Sequence, residues 1–227
     1  MTMDLHSLRA RLVDSPDSIG ARFRQRRWDI LRREFPDLDR MSVIDLGGRV
    51  DTWLRAPVRA AHVHVVNLEP PGADSLPAWL KFDHADACDL PLAIRAGHYD
   101  LVFSNSVMEH LDGHARRAAF ADSVHALSDR HWIQTPYRYF PIEPHWLFPW
   151  FQHLPVAARV YVSRRWPLVH TRGIQNGSSS FEAVKEVELL SRTELRAYFP
   201  KSRIIAERVG PLLKSITAVS KLCSFSD

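Results

Sequence analysis

Between residues 41 and 136 the chain alternates short apolar runs with a longer segment of helical period. Ser42-Val43-Ile44-Asp45-Leu46 is stopped by Gly47-Gly48, and His62 to Leu68 is stopped by Pro70-Pro71-Gly72. Leu80-Lys81-Phe82-Asp83 is a weaker third run, Tyr99 to Ser104 a fourth, and His131 to Thr135 a fifth, stopped by Pro136. Apolar runs of this length, bounded by glycine and proline, predict strands. From about Gly113 to Leu127 the apolar positions repeat at helical spacing, with Asp112 as candidate N-cap. Strands of this kind interleaved with helices predict an α/β, doubly wound, mostly parallel sheet covered on both faces.

The flanks read differently. In residues 1–40, Leu5, Leu8 and Leu12, then Ile19, Phe23, Ile30, Leu31 and Phe35, recur at helical spacing with a break at Ser15-Pro16-Asp17. The arginines between them, Arg22, Arg24, Arg26, Arg27, Arg32 and Arg33, read as a solvated face or as a contact for an anionic substrate. Residues 136–180 include seven aromatics from Tyr137 to Phe151 among the five prolines from Pro136 to Pro155, too broken for one helix and too aromatic for a linker, and predict a cap over the carboxyl edge of the sheet. A short helix near 193–199 and two strands, 203–208 and 215–219, joined at Gly210-Pro211, complete the chain. The expected organisation is one domain over 1–227: N-terminal helices 1–40, a binding core 41–135, the cap 136–180, and a C-terminal helix and strands 181–227.

Composition narrows the class. Hydrophobic residues make up 45% and charged residues 25%, which suits an ordinary globular chain able to bury a core without staples. Two distant cysteines, Cys88 and Cys223, exclude a disulfide framework and a four-cysteine zinc site, and suit a reducing cytoplasmic setting. No apolar run reaches the ~20 residues that cross a bilayer, so no membrane span is expected. The net charge of +4 comes with arginines that are scattered rather than striped, which argues against nucleic acid as a partner.

In an open α/β sheet the ligand lies beyond the carboxyl ends of the strands. The polar residues there are Asp45-Leu46-Gly47-Gly48, Asn67-Leu68-Glu69, Asp86-Ala87 followed by Leu90-Pro91, and Ser104-Asn105 leading to Glu109-His110-Leu111. In order and spacing this series resembles the class I S-adenosyl-L-methionine-dependent methyltransferases over about residues 41–136, and more weakly, through Leu189-Leu190-Ser191 and Lys214-Ser215, to the C-terminus. The resemblance implies a Rossmann-like, seven-stranded sheet ending in an antiparallel hairpin, and S-adenosyl-L-methionine as cofactor.

It also implies roles for residues. Gly47 and Gly48 would let the backbone approach the cofactor; Asp45 would order that loop and reach the cofactor amino group. Asn67, by position, or Glu69, by its carboxylate chemistry, would accept from the ribose hydroxyls. Asp86 and the Ala87 N–H would read the adenine, between Leu68 and Leu90, and Ser104 and Asn105 would line the cofactor edge. One departure stands out: the family's loop carries two further glycines where this chain has Arg49 and Asp51. That implies either a reshaped methionine-end pocket or a site that no longer binds cofactor.

Methyl transfer to oxygen needs alignment and removal of a proton. The candidate bases are His145, inside the cap, and His110, after the fourth strand, where contact with the cofactor or a structural role is the competing reading. No metal is expected: His110 and His114, or His84 and Asp86, are close in sequence, but no third ligand is placed by the motifs. The expected acceptor is a small molecule, or a saccharide or lipid intermediate, contacted by cap aromatics and the neighbouring Arg138, Arg159, Arg164, Arg165 and Arg172. The rival readings are a nucleic-acid or protein methyltransferase, and a degenerate fold that senses cofactor or binds a partner. Sequence leaves the oligomeric state open.

Overall fold

Seven strands form one sheet in the order β3-β2-β1-β4-β5-β9-β8 in a computed structural model that describes residues 18–72, 75–166 and 180–220. They are β1 (Ser42–Leu46), β2 (His62–Asn67), β3 (Leu80–His84), β4 (Leu101–Asn105), β5 (His131–Pro136), β8 (Arg203–Val209) and β9 (Leu212–Val219). The first five pair in parallel, and β9 runs antiparallel to both β5 and β8. This is the predicted seven-stranded α/β sheet with its C-terminal hairpin. The hairpin strand β9 begins three residues before the predicted Ser215, because Leu212 and Leu213 continue the ladder past a bulge at Glu207/Arg208.

Alternation along each strand divides the core. On one face Val43, Val63, Leu101 and Phe103 pack against helices α1 (Ile19–Glu34) and α2 (Val50–Leu54). On the other, Ile44, Leu46, Val102 and Ile133 pack against α4 (Gly113–Leu127), which follows the short α3 (Leu92–Arg95), and against α7 (Arg192–Tyr198). α4 spans the predicted residues, but the side chain of its N-cap, Asp112, makes no capping bond. α7 carries a capping box, Ser191 with Glu194.

Helix α1 is anchored in two ways. Trp28 stacks on Phe103 at 5.5 Å, and Trp53 meets both rings edge-on at 5.3 and 5.2 Å. Arg27, expected on a solvated face or against an anionic substrate, instead forms a two-pronged ion pair with the buried Glu207 of β8 (2.9 and 3.1 Å). Its guanidinium also donates to Gln134 of β5. The expected helix around Leu5, Leu8 and Leu12 lies outside the described residues.

The cap contains a two-stranded hairpin, β6 (Ile142–Glu143) with β7 (Phe148–Pro149), a short 3-10 turn (Phe151–His153) and α5 (Val156–Ser163), met by α6 (Ser180–Lys185). Its aromatics divide: Trp146 and Phe151 stack at 4.5 Å in a small core with Val184, while Tyr139 and Trp150 remain about half exposed. Arg172 lies outside the described residues. No described helix is long and apolar enough to cross a membrane.

Candidate active site

The loop after β1 is shaped by what lies under it. Gly47 has φ +73°, and a Cβ there would stand 2.7 Å from the Val107 methyls. A Cβ on Gly48 would collide with the Asp45 carboxylate. Both glycines are therefore required by this chain's own packing, independently of any ligand. Asp45 is buried, and its Oδ2 accepts from Trp53 Nε1 at 2.8 Å while Oδ1 has no hydrogen-bond partner. Burial raises its pKa to about 7, opposed by the Trp53 bond. Arg49 and Asp51, at the missing glycine positions, occupy the N-cap and first turn of α2. The loop thus turns directly into a helix, and that helix delivers Trp53 to Asp45.

At the end of β2, Asn67 and Glu69 do different things. Asn67 Nδ2 donates to the carbonyls of Gly47 (3.0 Å) and Gly48 (2.6 Å), and its Oδ1 accepts from the Glu69 N–H. Two of these bonds brace the β1 loop, and the third orders the turn after β2. The Glu69 carboxylate is exposed and pairs with Arg49 at 3.1 Å, a contact that costs little to open. Between these loops lies a shallow hollow lined by Gly48, Arg49, Asp51, Asn67, Glu69 and Phe82. Leu68 beside it is 57% exposed.

Beyond β3, Asp86 accepts from the Cys88 N–H and pairs with Arg116 of α4 at 2.8 Å, which hold its carboxyl below the usual range against the opposing effect of burial. Ala87 and Leu90 are buried in the core on the α4 face. Ser104, expected at the cofactor edge, is buried and donates to the Leu46 carbonyl, tying β4 to β1. Asn105 Oδ1 accepts from Trp132 Nε1.

After β4 the chain reverses at Ser106, a non-glycine residue at φ 56° held by its N–H to the Gln134 carbonyl and its hydroxyl to Gln134 Oε1. The 3-10 turn that follows, Met108–His110, buries Glu109, whose Oε2 accepts from Thr135 Oγ1 at 2.9 Å. His110 sits at its end, with desolvation holding its pKa below the ordinary value. Across from it stands the cap hairpin. Glu143 is buried, and its Oε2 accepts from the N–H groups of His145 and Trp146, while Oε1 meets His145 Nδ1 at 2.6 Å. A carboxylate only accepts, so Nδ1 carries the proton and Nε2 is the ring nitrogen with the lone pair. The rings of His145 and His110 meet edge to face at 5.0 Å.

The two histidines that sequence reasoning kept in separate roles are thus one cluster, and Glu109 joins it. Its signal in the sequence was Glu143-Pro144-His145, whose spacing lets one turn deliver both side chains. His114, by contrast, bonds Tyr198 on a separate element, past the turn at Gly113, and is not part of it.

Comparison with solved structures identifies the fold. An S-adenosylmethionine-dependent methyltransferase from Mesorhizobium loti matches with a TM-score of 0.52 at 15% identity, over 85% of this chain and 95% of its own. The N-methyltransferase NodS of Bradyrhizobium japonicum matches at 0.52 and 12%, over 90% and 97%. The Burkholderia thailandensis 1,6-didemethyltoxoflavin-N1-methyltransferase matches at 0.50 and 14%, over 87% and 78%. No family model and no curated protein matches the sequence. The chain has the class I methyltransferase fold.

Proposed function

We propose that this protein transfers a methyl group from S-adenosyl-L-methionine to a hydroxyl oxygen of a small molecule, or of a saccharide or lipid intermediate. That cofactor supplies a methyl group on a reactive sulfonium. The fold, the glycine loop over Asp45, the hollow flanked by Glu69 and Leu68, and the exposed edge of Asp86 support its binding. In this reading Glu69 accepts from the ribose, Asp86 and the Ala87 N–H meet the adenine, and Asn67 acts by holding the loop.

The observation that carries the choice of oxygen is the buried Glu143 behind His145. A hydroxyl is a poor nucleophile until its proton is drawn away as the C–O bond forms. An imidazole whose Nδ1–H is held by a buried carboxylate keeps Nε2 basic and aimed, and stabilises the imidazolium that results. Tyr139 and Trp150, half exposed on the same cap, offer apolar surface to an acceptor.

A second reading, a fold that senses cofactor without turnover, is favoured by the Arg49–Glu69 pair across the hollow. Calorimetric titration with S-adenosylhomocysteine, followed by a screen of hydroxylated acceptors read as S-adenosylhomocysteine release, tests both. Binding with turnover supports the enzyme, and binding without turnover on any acceptor class supports the sensor. No binding overturns both.

A further inference from the structure

We infer that Glu109, His110 and His145 form a site for one divalent cation of the first transition row. A carboxylate oxygen of Glu109 and one ring nitrogen from each histidine all lie within 4.8 Å of one another. A cation with bonds of about 2.0–2.2 Å draws three ligands to roughly 3–3.5 Å apart, a contraction that small side-chain rotations supply. Two imidazoles and one carboxylate suit such metals, and leave positions open for water or an acceptor oxygen.

Two features point to a ligand. First, Glu109 is fully buried, and although Thr135 satisfies Oε2, Oε1 has no hydrogen-bond partner. A buried carboxylate oxygen left bare is costly unless something positive meets it. Second, the support around the cluster is the arrangement a metal site uses. Glu143 fixes the tautomer and ring of His145 from behind, and the Thr135 hydroxyl fixes Glu109.

This inference rests on the proposed methyl transfer only for the cation's role. An acceptor hydroxyl bound at an open position would lose its O–H proton to solvent. The C–O bond would then form as the sulfonium C–S bond breaks, releasing the neutral thioether. The cation would thus take over from the His145 imidazole the task of making the oxygen nucleophilic.

The test uses the full-length, tag-free chain, stripped with chelator and titrated with Co²⁺, read by its visible absorption and by metal content after dialysis. S-adenosylhomocysteine affinity is measured on the same samples. One Co²⁺ per chain is expected. Glu109→Gln and His145→Ala should each weaken it at least tenfold, and Glu143→Gln about tenfold through the ring it positions. Glu109→Gln keeps the Thr135 bond, so retained S-adenosylhomocysteine binding shows that the variant is folded. Wild-type protein that binds S-adenosylhomocysteine but takes up no Co²⁺ at millimolar concentration overturns the inference and leaves the methyltransferase reading standing. So does Co²⁺ uptake that is the same in all three variants. Site-dependent Co²⁺ uptake without S-adenosylhomocysteine binding leaves the cation site and removes the methyltransferase.

Discussion

Trp53 Nε1 donates to Asp45 Oδ2 at 2.8 Å, joining the first helix after β1 to the carboxylate beneath Gly48. The bond explains how a loop with Arg49 and Asp51 at two glycine positions keeps its shape: α2 begins at once and its Trp53 satisfies one oxygen of a buried acid. Burial raises the Asp45 pKa from 3.8 to about 7, so the native state holds a proton that the unfolded chain releases. The stability this group contributes is complete below the unfolded value and is lost as pH rises through 7. Asp45→Asn removes the titration and keeps an acceptor for Trp53. Urea unfolding across that range should show the variant gaining on wild type with pH, by at most about 4 kcal/mol, then levelling off. A pH-independent difference would argue against the buried acid.

Glu69 and Asn67 should separate by the property they change. Glu69→Gln is expected to weaken S-adenosylhomocysteine binding about tenfold with unchanged melting temperature, since its carboxylate pairs with the exposed Arg49. Asn67→Ala strips the bonds to both loop carbonyls and should lower stability by ~1–3 kcal/mol together with affinity. Calorimetry and thermal unfolding on the two variants check this; the reverse pattern would give the ribose to Asn67.

Asp86 carries a partner that sequence did not reveal. Because Arg116 holds its carboxylate, Asp86→Ala should weaken cofactor binding roughly ten- to a hundredfold, while Arg116→Ala should do so only a few-fold. Equal losses would mean that the pair acts as a unit.

His145→Ala should lower kcat by at least ~10² once an acceptor is found, with cofactor affinity nearly intact. The sequence alone predicts that His110→Ala affects cofactor affinity or stability. The 5.0 Å ring contact moves that expectation to kcat as well. Single-turnover assays paired with cofactor titration distinguish the two, and a His110→Ala loss confined to cofactor affinity would restore the first assignment.

Arg27→Ala should destabilise the fold by about 2–4 kcal/mol, because Glu207 stays buried with Lys214 and Ser215 as its remaining partners among the described residues. The pair and Lys214 lower the Glu207 pKa against the effect of burial. Its contribution is therefore present above the ordinary carboxylate range and lost as pH falls through the lowered value. Denaturant unfolding of wild type and variant at neutral and acid pH should show the gap closing in acid.

The strands and the helix Gly113–Leu127 were legible because period and punctuation are local: Val43 and Ile44 face opposite layers whatever surrounds them, and Gly47 and Pro136 end their runs by backbone chemistry alone. The order of the polar strand ends was legible too, because a parallel sheet brings all carboxyl ends to one edge. What sequence left open was which atoms meet at that edge. Arg27 reaches Glu207 across 180 positions, and His145 reaches His110 across the cap, contacts set by how elements pack rather than by spacing. Nor does any local pattern say that Asn67 spends its amide on the loop while Glu69 faces outward. Helix and strand arise from interactions between near neighbours, whereas a side chain's partner and burial depend on the whole packed chain.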